Sequence, residues 1–100
     1  MRQFDVHRPA SGKGPLLLVL QADEVNHFNA VVAAPLYSAT EWDKPTRHLQ
    51  PCVLVAGERY VLAPNLLAAI PRAHFGDRVE SLVEHRADIL AALDFLFTGI

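Results

Sequence analysis

The sequence predicts an α+β fold that is mostly β: a strongly bent antiparallel sheet or small barrel with a C-terminal helix packed on it. Three observations predict this. Short apolar runs follow one another with turn chemistry between them, the connections are tight, and helical spacing of apolar residues is confined to the last part of the chain. At 100 residues, with 51% hydrophobic and 20% charged content, residues 1–100 make a single domain whose core needs no disulfide or metal support.

Phe4-Asp5-Val6-His7 alternates apolar and polar as a half-buried first strand, and the turn formers from Pro9 to Pro15 close it into a hairpin. Leu16 to Gln21 is an apolar run too short for a helix. After the polar stretch Gln21 to Glu24, the Val- and Ala-rich run Ala30 to Leu36, closed by Pro35, reads as the third strand. Thr40 to Gln50 has no clear period and reads as a connecting loop anchored by Trp42. Cys52 to Ala56, a Gly57-Glu58 turn and Arg59 to Ala63 form a second hairpin. Pro64 to Pro71, with a proline at each end, reads as a short helical turn or an irregular edge. The terminal helix starts at Asp77 or Ser81. Ser81 with Glu84 makes a capping-box pattern, and Leu82, Ile89, Leu93 and Leu96 share a face. Glu80, Glu84 and Asp88 make a solvated stripe opposite, and Gly99 is the stop. Five or so strands and then a helix make an SH3-like small barrel.

The net charge of −2 leaves no electrostatic footprint for a phosphate backbone, so direct nucleic-acid binding is not expected. The lone Cys52, inside an apolar run, reads as a small buried hydrophobe in a reducing, cytoplasmic setting. No basic-then-apolar leader opens the chain and no run is long enough to span a bilayer, so the reading is a soluble, unprocessed protein away from the membrane.

Catalytic chemistry finds little support. His7, His27, His48, His74 and His85 are scattered, with no metal-ligand spacing, and read as surface or loop histidines. Pro51 separates His48 from Cys52 and argues against a thiolate–imidazole pair on a shared helix face. Ser38 lacks a nucleophile elbow, and there is no glycine-rich phosphate loop. No catalytic residue, metal site or cofactor is predicted. Asp94-Phe95-Leu96-Phe97-Thr98-Gly99-Ile100 stands out instead. Phe95, Leu96 and Phe97 are consecutive on a helix and cannot all face one core. An apolar end of this kind is either packed down or held out as a contact for a partner.

Several pieces, in order and at matching spacing, resemble the CcdB family of toxins, which poison DNA gyrase and are neutralised by a partner antitoxin. They are Gln3-Phe4-Asp5-Val6, Gln21-Ala22-Asp23, Ala34-Pro35-Leu36-Tyr37-Ser38-Ala39, Leu49-Gln50-Pro51, Ala69-Ile70-Pro71, Asp88-Ile89 and Phe97-Thr98-Gly99-Ile100. The resemblance implies a homodimer with its terminal helices near the twofold axis, a CcdA-like antitoxin, and binding to the gyrase A subunit through Glu24, Val25, Asp94, Phe97, Thr98, Gly99 and Ile100. Thr98 stands where the family has a Trp, Glu24 where it has an apolar residue, and Asp94 where it has an amide. Two other functions are weighed against the non-catalytic gyrase toxin. One is an antitoxin-binding relative without toxicity, motivated by Thr98. The other is an endoribonuclease toxin of the same barrel, for which Arg47, His48, Arg59 and Arg72 are the only candidates.

Overall fold

The computed structural model describes every residue except Asn26. Among the described residues, seven strands precede one helix: β1 Asp5–Pro9, β2 Leu16–Val19, β3 Ala30–Ser38, β4 Cys52–Val55, β5 Glu58–Leu62, β6 Ala68–Pro71, β7 Phe75–Ser81 and α1 Arg86–Thr98. All pairings are antiparallel, in the order β4-β5-β3-β2-β1-β7, with β6 also on β3.

The spine is β3. Along one edge it pairs with β2; along the other it pairs first with β6, at Ala30 to Ala33, and then with β5, at Leu36 to Ser38. Pro35 therefore does not close the strand, as the sequence suggested, but sits inside it at the handover between β6 and β5. Its carbonyl accepts from the Ala63 N–H at 3.0 Å on that edge, where no ladder donor is required of residue 35 itself. The sheet curls on itself until the β4–β5 turn meets β7, where the Ala56 N–H donates to a Glu80 carboxylate oxygen. Phe4, Val6, Leu18, Leu36, Val55, Leu62, Leu82 and Ile89 fill the interior of the curl.

Five expectations change. The β4–β5 turn is Ala56-Gly57, both left-handed at φ 50° and 82°, which is the twist a two-residue hairpin needs. Along β4, Val53 and Val55 point inward, so Cys52 is exposed rather than buried. Residues 75–81 form an edge strand on β1 rather than the approach to the helix, and α1 starts at Arg86 after a 3₁₀ turn at Val83–His85. The Ser81 hydroxyl accepts from the Val83 N–H at 3.2 Å instead of capping a helix, and Glu80 belongs to the strand, so neither the capping box nor the acidic helical stripe forms. His7 is not a surface histidine: it is buried, its Nδ1 lies 2.9 Å from the Gly76 carbonyl, and Phe75 meets it edge-on at 5.7 Å. His27, His48 and His74 are exposed as expected.

No helix among the described residues is long and apolar enough to cross a membrane.

Candidate functional site

Ile89 and Ala92 seat α1 on the sheet, with Leu90 and Leu93 partly buried beside them. By the last turn the helix has run out of core to cover. Phe97 is 71% exposed and Ile100 93% exposed. The segment divides between its two possible fates: Phe95 and Leu96 are half-buried, while Phe97 and Ile100 are held out.

The backbone beneath them is nonetheless well defined. Gly99 is left-handed at φ 76°, a conformation that favours glycine, and its N–H returns to the Phe95 carbonyl at 2.9 Å. The Thr98 hydroxyl donates to the Asp94 carbonyl at 2.6 Å and accepts from the Ile100 N–H at 3.3 Å. Its polar atom is thus committed to finishing the helix. Asp94 itself is exposed on the same turn.

A groove of about 270 Å³ runs between this end and the 40–50 loop, lined by His48, Ala91, Phe95 and Ile100. The His48 ring lies 6.0 Å from that of Phe95. Gln50, buried at the base of the loop, holds it in place. Its Oε1 accepts from the Trp42 indole at 3.2 Å and from the Thr46 N–H at 2.8 Å, and its Nε2 donates to Asn65 Oδ1 at 3.0 Å. Trp42, its ring 4.9 Å from that of Tyr37 and tilted 34° to it, is therefore the loop anchor expected of it. The sequence marks Gln50 only as part of Leu49-Gln50-Pro51, because a glutamine beside a proline carries no sign that its amide is a buried hub.

Asp94, Phe97, Thr98, Gly99 and Ile100 thus share one end of α1. Glu24 and Val25 do not join them. They lie on a 3₁₀ turn, Asp23–Val25, that is tied to the N-terminal segment by the Gln3 N–H to Asp23 Oδ1 at 2.8 Å. Asp23 shares a groove with Arg86, the first residue of α1. A helix of 13 residues, about 20 Å long, separates the two sets.

The candidate ribonuclease residues lie on separate segments: Arg47 and His48 on the loop, Arg59 on β5, and Arg72 after β6, with its Nε on the Phe28 carbonyl at 2.6 Å. Among the described residues no group of three or more His, Cys, Asp or Glu is placed to hold a metal ion.

The fold has solved relatives. An endoribonuclease in complex with its cognate antitoxin, from a mycobacterial species, superposes with a TM-score of 0.79 at 18% identity, over 97% of this chain and 94% of that one. A second mycobacterial endoribonuclease gives 0.79 at 16% identity, over 97% and 90%. The Mycobacterium tuberculosis toxin MazF-mt6 gives 0.77 at 17% identity, over 93% and 95%. At such identities the likeness is one of fold. Comparison with curated protein sequences gives no match. The CcdB protein family model matches residues 3–99, nearly the whole chain. The chain belongs to the CcdB family, a family of toxins of toxin–antitoxin systems.

Proposed function

We propose that this toxin acts without chemistry of its own, by binding the gyrase A subunit through the end of α1 and trapping gyrase on cleaved DNA. A CcdA-like antitoxin holds it inactive, and the working unit is a homodimer in the cytoplasm. The observation that carries this reading is the exposure of Phe97 and Ile100 on a capped, well-defined helix end. Large apolar side chains presented on an ordered backbone bind with little further ordering cost. Asp94, Thr98 and Gly99 complete that surface, with Glu24 and Val25 as a second contact.

Thr98 shapes the strength of the contact. Truncating an interface Trp typically costs about 2–4 kcal/mol, and a Thr whose hydroxyl is bonded within its own helix supplies no equivalent stacking surface. Affinity then rests on Phe97 and Ile100.

The test is a gyrase supercoiling and DNA-cleavage assay with the purified protein and a Thr98→Trp variant. Cleavage complexes with the natural sequence, increased by the Trp, support the reading. Cleavage complexes only with the variant identify a correct surface on a chain that has lost toxicity and serves as an antitoxin-binding module. No effect from either refutes gyrase as the target. A second reading, an endoribonuclease, draws on the fold shared with solved endoribonucleases. Cleavage of a mixed RNA substrate by the same preparation would bring it forward.

A further inference from the structure

We infer that the groove between the N-terminal segment and the start of α1 is a carboxylate-binding site for an acidic segment of the antitoxin, read by the guanidinium groups of Arg86 and Arg78. The inference uses the antitoxin part of the proposed function and is independent of gyrase. The groove, about 290 Å³ in volume, gathers Arg2, Arg78 and Arg86, three of nine cationic residues in a chain of net charge −2.

Two carboxylates share the groove, and both are already engaged. Asp5 is buried, with Oδ1 3.2 Å from Arg78 Nε and Oδ2 accepting from the Arg2 N–H at 3.0 Å. Asp23 accepts from the Gln3 N–H through Oδ1 and faces the Arg2 side chain at 3.5 Å through Oδ2. Arg86 is the cation left over. Its guanidinium lies 5.8 Å from the centre of the Phe4 ring, and among the described residues it faces no carboxylate within ion-pair distance. Arg78 meets Asp5 through Nε alone and is 54% exposed, so its terminal nitrogens remain available for a ligand.

Two guanidinium forks with unspent donors suit a planar carboxylate, which each can grip through paired N–H···O bonds. Val83, on the same groove and 56% exposed, offers an apolar contact to a residue flanking the acid. Asp5 and Asp23 are taken up by Arg78, by the Arg2 side chain and by backbone N–H groups, so two guanidinium groups face a single short acidic stretch, and the chain has no extended basic face for a run of nucleic-acid phosphates. An acidic polypeptide with apolar residues beside its carboxylates is the matching occupant.

The probe is a blocked Leu-Glu-Leu-Glu-Leu peptide, titrated into the isotopically labelled full chain while the arginine Nε–H signals are followed by NMR. The expected result is saturable movement of the Arg86 and Arg78 signals, absent with the Gln counterpart of the peptide. Arg86→Gln should weaken binding by about tenfold or more. Arg86 carries no ion pair and the variant loses only its contact over the Phe4 ring, worth about 0.5–1 kcal/mol, so its melt should stay cooperative and fall by only a few degrees. Should it fail to fold, Arg86→Lys, which keeps the charge and loses the fork, takes its place. Unmoved arginine signals, equal binding by the variant, or tighter binding of inorganic phosphate or a short single-stranded RNA at the same signals would each overturn the inference. Peptide binding without gyrase poisoning would count against the gyrase reading alone, while poisoning without peptide binding would count against this site alone.

Discussion

Deleting Gly99 and Ile100 separates the partner-contact role of the helix end from a structural one, because the structure assigns the two roles different magnitudes. Full burial of an Ile side chain is worth about 1.5–3 kcal/mol, and at 93% exposure almost none of that is realised within the protomer. The deletion also removes the Gly99 N–H bond to Phe95, worth about 0.5–1.5 kcal/mol. The expected loss of stability is therefore about 1 kcal/mol, a fall in Tm of about 4–8 °C for a domain of this size. Binding behaves differently. If Ile100 is buried against gyrase, its removal takes away about 1.5–3 kcal/mol, a factor of about 10 to 150 in Kd. Circular-dichroism melting and calorimetric titration with a gyrase A fragment read the two quantities on one sample. Loss of the cooperative melt would show that the tail is structural. An unchanged Kd would show that it is not the contact.

Two substitutions test the scaffold that presents this end. Gly76→Ala should lower stability by about 1–3 kcal/mol, because the new Cβ would stand 2.9 Å from the Arg8 carbonyl oxygen and 3.2 Å from that of Pro9; an unchanged urea midpoint would refute the tight β1–β7 approach. Gln50→Ala should cost about 1–3 kcal/mol and shift the emission of Trp42, the only tryptophan, to the red as its indole loses its partner; unaltered emission with an unaltered melt would refute the hub.

The parts of the fold legible in the sequence are those whose information is local. Val6 and His7 sit on a short first strand ended by Pro9, Gly57 marks a hairpin, and Gly99 stops a helix, although Asp5 and His7 are buried along with Val6 rather than alternating outward. The errors fall where a neighbour decides. Cys52-Val53-Leu54-Val55-Ala56 contains no polar residue, so either face of β4 fits the core, and only the pairing with β5 turns Cys52 outward. Ser81 to Glu84 has the residue types of a helix cap, yet residues 75–81 gain more by completing the ladder on β1, where Arg78 also reaches Asp5. Pro35 reads as a strand end until β6 and β5 divide one edge of β3 between them. For the site, the conflict among Phe95, Leu96 and Phe97 was visible as three apolar residues with one core to share. The bond of Gln50 to Asn65 and the meeting of Arg78 on β7 with Arg86 at the start of α1 depend on how separate segments pack and left no sequence pattern.

The placement of the family-derived residues bears on how the proposed contact is assembled. Asp23, on the same 3₁₀ turn as Glu24 and Val25, lines the groove at the start of α1, and Phe97 to Ile100 lie at the other end of that helix, which is about 20 Å long. A partner that uses both sets must either span that length on one protomer or meet one set from each of two protomers. Twofold symmetry supplies the second arrangement directly, since every patch on one copy recurs on the other. It also imposes a constraint. Side-chain surface of Phe97 and Ile100 that is buried between protomers is no longer available to gyrase, so the same atoms cannot serve fully as both dimer contact and partner contact. The tail deletion decides between these uses when sedimentation is measured alongside Kd. A species that keeps its mass while losing gyrase affinity assigns the exposed apolar surface to the partner. One that falls to half its mass assigns that surface to self-association, and gyrase recognition must then be sought elsewhere on the dimer.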